Sequence, residues 1–179
     1  LTINAVNDMP EFITASIPSI DEDEPYNVNI EVTDIDNLED ELEIVVSSGP
    51  SWLEVSGLTL LGTPSDSDVG LSSVVLNLSD GDLFASASFD LIVNQVNDPP
   101  EAEDQSVNLN EDESATIYAF ANDEDSEGLS FSILSYPENG LLNGLREFAT
   151  YVYIPDSDFN GEDSFTFSVS DGEFSDEAT

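Results

Sequence analysis

The chain has 179 residues, with 40 acidic side chains against a single Arg146, no Lys and no His, for a formal net charge of −39 at pH 7. That balance excludes nucleic acid and anionic membrane as partners and favours metal cations or a very salty medium. Cysteine is absent and no apolar run approaches the roughly eighteen residues of a membrane span, which excludes a disulfide frame, thiol chemistry and membrane insertion.

Taken in order, residues 1–6 alternate Leu, Ile and Ala with Thr, Asn and Val and are expected to form a strand, followed by a turn or linker at Asn7-Asp8-Met9-Pro10. A weak strand over 11–17 stops at Pro18, and Asp21 to Pro25 is an acidic loop. Residues 26–33 alternate cleanly, with Val28, Ile30 and Val32 on one face and Asn27, Asn29 and Glu31 on the other, the period of a half-buried strand. An acidic turn over 34–40 leads to a strand at 42–47, and short strands at 52–55 and 58–61 flank Gly57. A long strand over 71–78 points Val74, Leu76 and Leu78 inward. A hairpin turn at 79–82 then feeds a return strand over 84–96.

The second half repeats this plan, with strands expected at 115–121, 129–134, 148–154 and 164–170 and a turn at 137–140. Phe165, Phe167 and Val169 share one face of the last of these. Short strands separated by turn signals, with no helical period longer than two turns, indicate an all-β sandwich class.

The repetition is explicit. Ile3 to Glu11 reads Ile-Asn-Ala-Val-Asn-Asp-Met-Pro-Glu, and Val93 to Glu101 reads Val-Asn-Gln-Val-Asn-Asp-Pro-Pro-Glu. Ile20-Asp-Glu-Asp-Glu matches Leu109-Asn-Glu-Asp-Glu, Val32-Thr-Asp-Ile-Asp matches Ala121-Asn-Asp-Glu-Asp, and Leu78-Ser-Asp-Gly matches Val169-Ser-Asp-Gly. Four landmarks in the same order make this a repeat protein. Joining the C-terminus to the N-terminus continues the pattern, so the chain reads as two units cut out of phase. The expected division is 1–7 as a strand of a preceding or neighbouring repeat, 8–97 as one domain and 98–179 as a second lacking its own last strand. With no leader peptide and no initiator Met, a processed product or a piece of something longer is expected.

These motifs together resemble bacterial cadherin-like repeats. Pro50-Ser-Trp-Leu followed by Leu61-Gly-Thr-Pro looks like the dystroglycan-type variant, and Tyr153-Ile-Pro-Asp with Asp158-Phe-Asn-Gly-Glu-Asp-Ser-Phe resembles the tandem repeats of large secreted bacterial proteins. The resemblance implies two tandem seven-stranded Greek-key sandwiches (cadherin/Ig-like), Ca2+ at the domain ends, and adhesion or spacing at a cell surface.

Calcium prefers six to eight hard oxygen ligands. Asp34 and Asp36 lie two apart at a strand end, so both carboxylates leave on one side, and Asp123 and Asp125 do likewise. The acidic loops carrying Glu22 and Glu24, and Glu111 and Glu113, enter the same strands from the other end. In the cadherin pattern, linker acids share ions with the next Asp-x-Asp. Matched residue by residue, that groups Asn97, Asp98, Asp123 and Asp125, and equivalently Asn7, Asp8, Asp34 and Asp36, with Asp80 and Asp171 as further contributors. The competing reading is a set of solvated turn acids bonding their own backbone. Two stretches look like EF-hand loops, but their twelfth positions are Leu134 and Phe167, so the bidentate Glu is missing. The second could still be a local calcium loop through Asp156, Asp158, Asn160 and Asp163, against the plainer reading of an Asn-Gly turn.

Without His, Cys or Lys, the Ser-His and Cys-His nucleophile systems and Schiff-base chemistry are unavailable, and no carboxylate pair stands out among so many acids, so an enzyme is not expected. Trp52, Tyr136, Tyr151 and Tyr153 offer aromatic rings for sugar, although Trp52 at a strand start more often fills a core. Leu1 and Ile3 are expected to donate a strand onto Phe165, Phe167 and Val169 of a neighbour, each burying about 1.5–3 kcal/mol of apolar contact. Such a contact is head-to-tail and open-ended. Three readings follow: a calcium-stiffened segment of a long secreted adhesin, a filament subunit joined by donated strands, or a carbohydrate-binding module of a secreted polysaccharide-active protein. The partners expected are copies of itself or adjacent repeats, with a cell-surface protein or polysaccharide beyond them.

Overall fold

The computed structural model describes residues 1–4, 6–125, 128–145 and 149–179. Ala5 in the first expected strand, Glu127 in the EF-like stretch, Arg146, and Phe148 at the head of the Tyr-rich strand lie outside the described residues. The chain divides into two compact units, Leu1–Val96 and Asn97–Thr179, and is all-β apart from short 3-10 turns.

In unit 1, strands β1 (Glu11–Phe12), β2 (Ile20–Asp21), β3 (Tyr26–Asn29), β4 (Val32–Thr33), β5 (Glu43–Ser48), β6 (Glu54–Ser56), β7 (Thr59–Gly62), β8 (Gly70–Ser79) and β9 (Phe84–Asn94) follow in order. One sheet runs β2-β9-β8-β5, a second β3-β7-β6, and β1 pairs with β4. The expected strand over 26–33 forms but is interrupted at Ile30-Glu31. Ile30 donates to the Leu58 carbonyl on one side, while Glu31 accepts from Ile13 and Thr14 on the other. One strand thus serves two sheets. Its apolar face is buried, with Tyr26, Ile30 and Val32 joining Ile44, Leu60, Leu76, Leu78 and Leu91 in the core. Period-2 alternation is what selects this face.

Trp52 packs edge-on against Tyr26, ring centroids 5.8 Å apart. Gly62 lies beneath it with φ +146°, and a Cβ there would run into the Trp52 carbonyl and ring. Trp52 is therefore a core residue and not an exposed platform.

Unit 2 contains β10 (Glu101–Ala102), β11 (Ala115–Tyr118), β12 (Ala121–Asn122), β13 (Ser130–Ser135), β14 (Gly140–Leu145), β15 (Thr150–Pro155), β16 (Thr166–Ser170) and β17 (Ser175–Ala178). Its sheets run β11-β15-β14 and β13-β16-β17, and β10 pairs with β12. The core gathers Ala119, Tyr151, Phe167 and Ala178, flanked by Phe131, Ile133, Leu142 and Phe165.

Two expectations need correction. Residues 1–4 and Val6 lie in no strand, and Leu1, Ile3 and Val6 are exposed. Alternation alone does not make a strand without a partner to pair with. The last strand of unit 2, expected to be missing, is present: Ser175–Ala178 form β17 and pair with β16, setting Ala178 opposite Phe167 and Asp176 opposite Val169. Phe167 and Val169 are accordingly buried already.

Candidate metal centres

Each unit gathers an acidic cluster at the end where its Asp-x-Asp turn and its Ser-Asp-Gly hairpin meet. In unit 1, Asp34 follows β4, and its Oδ1 accepts from the Asp36 and Asn37 backbone N–H groups at 2.7 and 2.9 Å. Asp36 Oδ2 accepts from the Asp8 N–H at 2.7 Å. Asp80, in the β8–β9 hairpin, takes the Asp82 and Leu83 N–H groups on Oδ1 and the Asn7 side-chain amide on Oδ2. Asn7, Asp8, Asp34, Asp36 and Asp80 therefore form one hydrogen-bonded constellation.

Unit 2 builds the same object. Asp123 Oδ1 accepts from Asp125 N–H, Asp125 Oδ2 from Asp98 N–H, and Asp171 Oδ2 from the Asn97 amide at 2.7 Å. Asp171 Oδ1 takes Glu173 and Phe174 N–H, as Asp80 does in its own hairpin. The hairpin N–H groups of Leu83 and Asp82 hold the Asp80 carboxyl below the usual carboxylate range. The Asn97 amide, ahead of the Glu173 and Phe174 N–H groups, does the same for Asp171. Both remain anionic under all ordinary conditions.

Turn formation explains one oxygen of Asp34 but not the other. Asp34 Oδ2 is buried and takes no hydrogen bond. A buried anionic oxygen without a donor is costly unless a positive charge lies close. With 40 acids against one Arg in the chain, the available counter-charge is a cation. The donor set is carboxylates and a side-chain amide, hard oxygens of the kind calcium takes. The residues present fit that ion.

The opposite end of the β3–β4 run carries Glu22, 2% exposed, whose Oε1 accepts from Val96 N–H at 2.7 Å. A carboxylate oxygen of Asp66 lies within 4.8 Å of one from Glu22. Sequence reading missed Asp66, which sits in the 3-10 turn Asp66–Asp68. Its Asp-Ser-Asp pattern, matched by Asp156-Ser157-Asp158, was the available signal. Asp23 beside it has φ 59°, as has Asp112 in unit 2 at 64°. In unit 2, Asp112 accepts from Asp158 N–H, so the two acidic loops again meet. Glu24 in unit 1 and Glu111 and Glu113 in unit 2 are exposed. Glu113 accepts from the Asn110 amide and donates its N–H to the Asn110 carbonyl, both in its own loop.

Asp163 is committed elsewhere. It accepts from Glu138, Asn139 and Ser164 N–H groups and from the Tyr153 hydroxyl at 2.9 Å. Partial burial would raise its pKa, but those donors together hold it low. Burial and the Asp163 contact push Tyr153 up to about 12. Four donors make Asp163 a turn lock across unit 2, and they leave it poorly placed to complete a loop with Asp156, Asp158 and Asn160.

Residues 97–179 match a family model described as Bacterial Ig domain. No curated protein matches the chain. Among solved structures, human protocadherin-24 EC1-2 (form II) is similar at 18% identity, covering 94% of this chain and 92% of that one, with TM-score 0.54. The protocadherin gamma B7 extracellular cadherin domains 1-4 give 15% identity over 94% of this chain and 47% of that one, TM-score 0.50. An endo-fucoidan hydrolase from glycoside hydrolase family 107 gives 22% identity over 95% of this chain, TM-score 0.47, and this chain spans 28% of its length. The fold is therefore that of Ig/cadherin-like repeats, and the Ig-like match points to a non-catalytic domain.

Proposed function

We propose that this chain is a calcium-stiffened extracellular repeat module with a structural or adhesive role, assembling head-to-tail through further copies or adjacent repeats. The observation that carries the calcium reading is the twice-built constellation, in which Asp34 keeps a buried oxygen without a donor. Asn7, Asp8, Asp34, Asp36 and Asp80 would hold an ion on unit 1, and Asn97, Asp98, Asp123, Asp125 and Asp171 one on unit 2. Stiffening follows from which residues are tied together. Asn7-Asp8 and Asn97-Asp98 lie in connecting segments, so an ion shared with the Asp-x-Asp turn pins each segment to the unit it enters. Without the ion, that task falls to a few hydrogen bonds surrounded by like charge. Glu22 with Asp66, and Glu111, Glu113 and Asp156, Asp158 and Asn160 in unit 2, are secondary oxygen donors. Unit 1 keeps its likeness to the dystroglycan-type variant. Ig-like and cadherin-like domains typically work outside the cell, which fits a secreted location, and among the described residues no helix is long and apolar enough to cross a membrane.

The carbohydrate reading needs an exposed aromatic platform. Trp52 and Tyr151 are core residues, and Tyr153 is bonded to Asp163. Tyr136 is exposed and shares a groove with Tyr153, whose hydroxyl is already bonded to Asp163. The proposal is tested by thermal unfolding in millimolar CaCl2, in chelator, and in NaCl of matched ionic strength. A rise in melting temperature with calcium well above that with NaCl supports it. Equal shifts would leave only a salt-screened acidic surface.

A further inference from the structure

Each Ser-Asp-Gly hairpin carries a chemically labile pair of residues. The turn at Ser79-Asp80-Gly81 closes with the Asp80 N–H on the Leu83 carbonyl at 3.3 Å and holds Gly81 at φ +99°. Gly172 takes φ +108° in the matching turn Ser170-Asp171-Gly172. A side chain is strained at such angles, so the turn requires glycine. Glycine after aspartate is also the least hindered setting for a side reaction of the backbone. The Gly nitrogen attacks the Asp Cγ and an N–Cγ bond forms. Water leaves, made of one carboxylate oxygen, the amide proton and a proton from solvent. Hydrolysis of the resulting succinimide at the backbone carbonyl reroutes the main chain through Cβ and gives isoaspartate.

In both hairpins the two reacting groups are engaged elsewhere. The Gly81 N–H is donated to Ser79 Oγ at 3.0 Å, and the Gly172 N–H to Ser170 Oγ at 3.1 Å. The same hydroxyls donate across the turn to the Leu83 and Phe174 carbonyls, at 3.2 and 2.7 Å, which leaves their lone pairs for the glycine. The carboxylates are tied as well. Asp80 Oδ1 takes the Asp82 and Leu83 N–H groups, both at 2.7 Å, and Asp171 Oδ1 takes those of Glu173 and Phe174, both at 2.7 Å. Cyclisation must draw the Gly nitrogen off the serine and turn the carboxylate off its two donors. The serine is a local addition to the turn, of the kind short hydroxyl side chains make to nearby backbone. The three Asn-Gly pairs of the chain, at Asn139, Asn143 and Asn160, follow Glu138, Leu142 and Phe159 instead.

We infer that Asp80-Gly81 and Asp171-Gly172 are latent isoaspartate sites, and that Ser79 and Ser170 keep them closed by holding the glycine N–H. Each serine thereby protects the carboxylate beside it, which is the one that takes the Asn7 or the Asn97 amide. Isomerisation moves that carboxylate onto the Cα of a lengthened main chain and away from the amide. None of these bonds involves an ion, so absence of the serine effect would leave the calcium reading untouched.

The test ages the full chain in warm neutral buffer with chelator and locates isoaspartate by peptide mapping and isoaspartyl methyltransferase labelling. Ser79→Ala should raise its formation at Asp80 about fivefold or more, the factor that loss of one ordinary hydrogen bond gives, and leave Asp171 at its own rate. Ser170→Ala should do the reverse, so each unit serves as the control for the other. Ser79→Thr keeps the hydroxyl and should stay near the unmodified rate. Ile44 is buried and pairs opposite Leu78 at the base of the same hairpin. Ile44→Val costs unit 1 a comparable amount of stability while sparing Ser79, and should also stay near the unmodified rate. A synthetic peptide of residues 77–85, too short to hold a hairpin in water, should isomerise faster than the folded chain. An unchanged rate in S79A, an equal rise in I44V, a joint rise at Asp80 and Asp171, or a peptide no faster than the folded chain would overturn the inference.

Discussion

Changing Asp34 to Asn should have opposite effects with and without calcium. The amide keeps an oxygen for the Asp36 and Asn37 N–H groups, so the turn survives. The buried Oδ2, which lacks a donor, becomes an uncharged NH2. In chelator the substitution therefore removes an uncompensated anionic oxygen and should raise unit 1 stability by about 1 kcal/mol. In calcium it removes a ligand. At calcium about 100 times the dissociation constant, binding to the native state contributes about 2.7 kcal/mol, and a domain of this size shifts by about 4–8 °C per kcal/mol. The unmodified unit 1 should then melt roughly 10–20 °C higher in calcium than in chelator, and D34N should lose most of that difference. Trp52 is the single tryptophan and packs in the unit 1 core, so its fluorescence reports this unit alone. Equal destabilisation of D34N in both buffers would refute the reasoning and reduce Asp34 to a turn former.

Replacing Asp163 by Ala should destabilise unit 2 by about 1–2 kcal/mol, discounted for its exposure, with little change in calcium affinity; unfolding followed by tyrosine signals, set beside a calcium titration, checks both halves. Asp80, Asp163, Asp171 and Asp176 all have folded pKa values below their ordinary one. Their contribution to stability is complete above about pH 4 and is lost as pH falls through the depressed values, so in high salt, where charge repulsion is screened, melting temperature should fall on acidification below pH 4. Gly62→Ala should cost about 1–3 kcal/mol by forcing Trp52 away, read from the Trp52 emission shift and the chemical melt.

Much of the architecture was readable because burial imposes a period. The alternation over residues 26–33 identified the face that unit 1 buries, and the Ser-Asp-Gly repeats placed both hairpins. What escaped were elements defined by their partners. The two-residue strands β2, β10 and β12 have no pattern of their own. Strand β14 contains Gly140, Asn143 and Gly144, poor strand formers, yet it is in place because Gly144 admits the Tyr151 ring against its backbone. Conversely, residues 1–4 and Val6 have the pattern, yet they join no strand. At the candidate centres, it was the cadherin-like resemblance that grouped the residues of the twin constellations. It could not show that Asp163 is satisfied by N–H donors, nor that Asp66 folds back toward Glu22, because both depend on loop paths.

Calcium titration by calorimetry of the whole chain in physiological salt tests the central claim most directly. The account predicts saturable binding at a minimum of two sites per chain, one class removed by D34N and another by D123N, with both persisting against excess NaCl. Weak, unsaturable heat that NaCl abolishes, and that neither substitution alters, would contradict it.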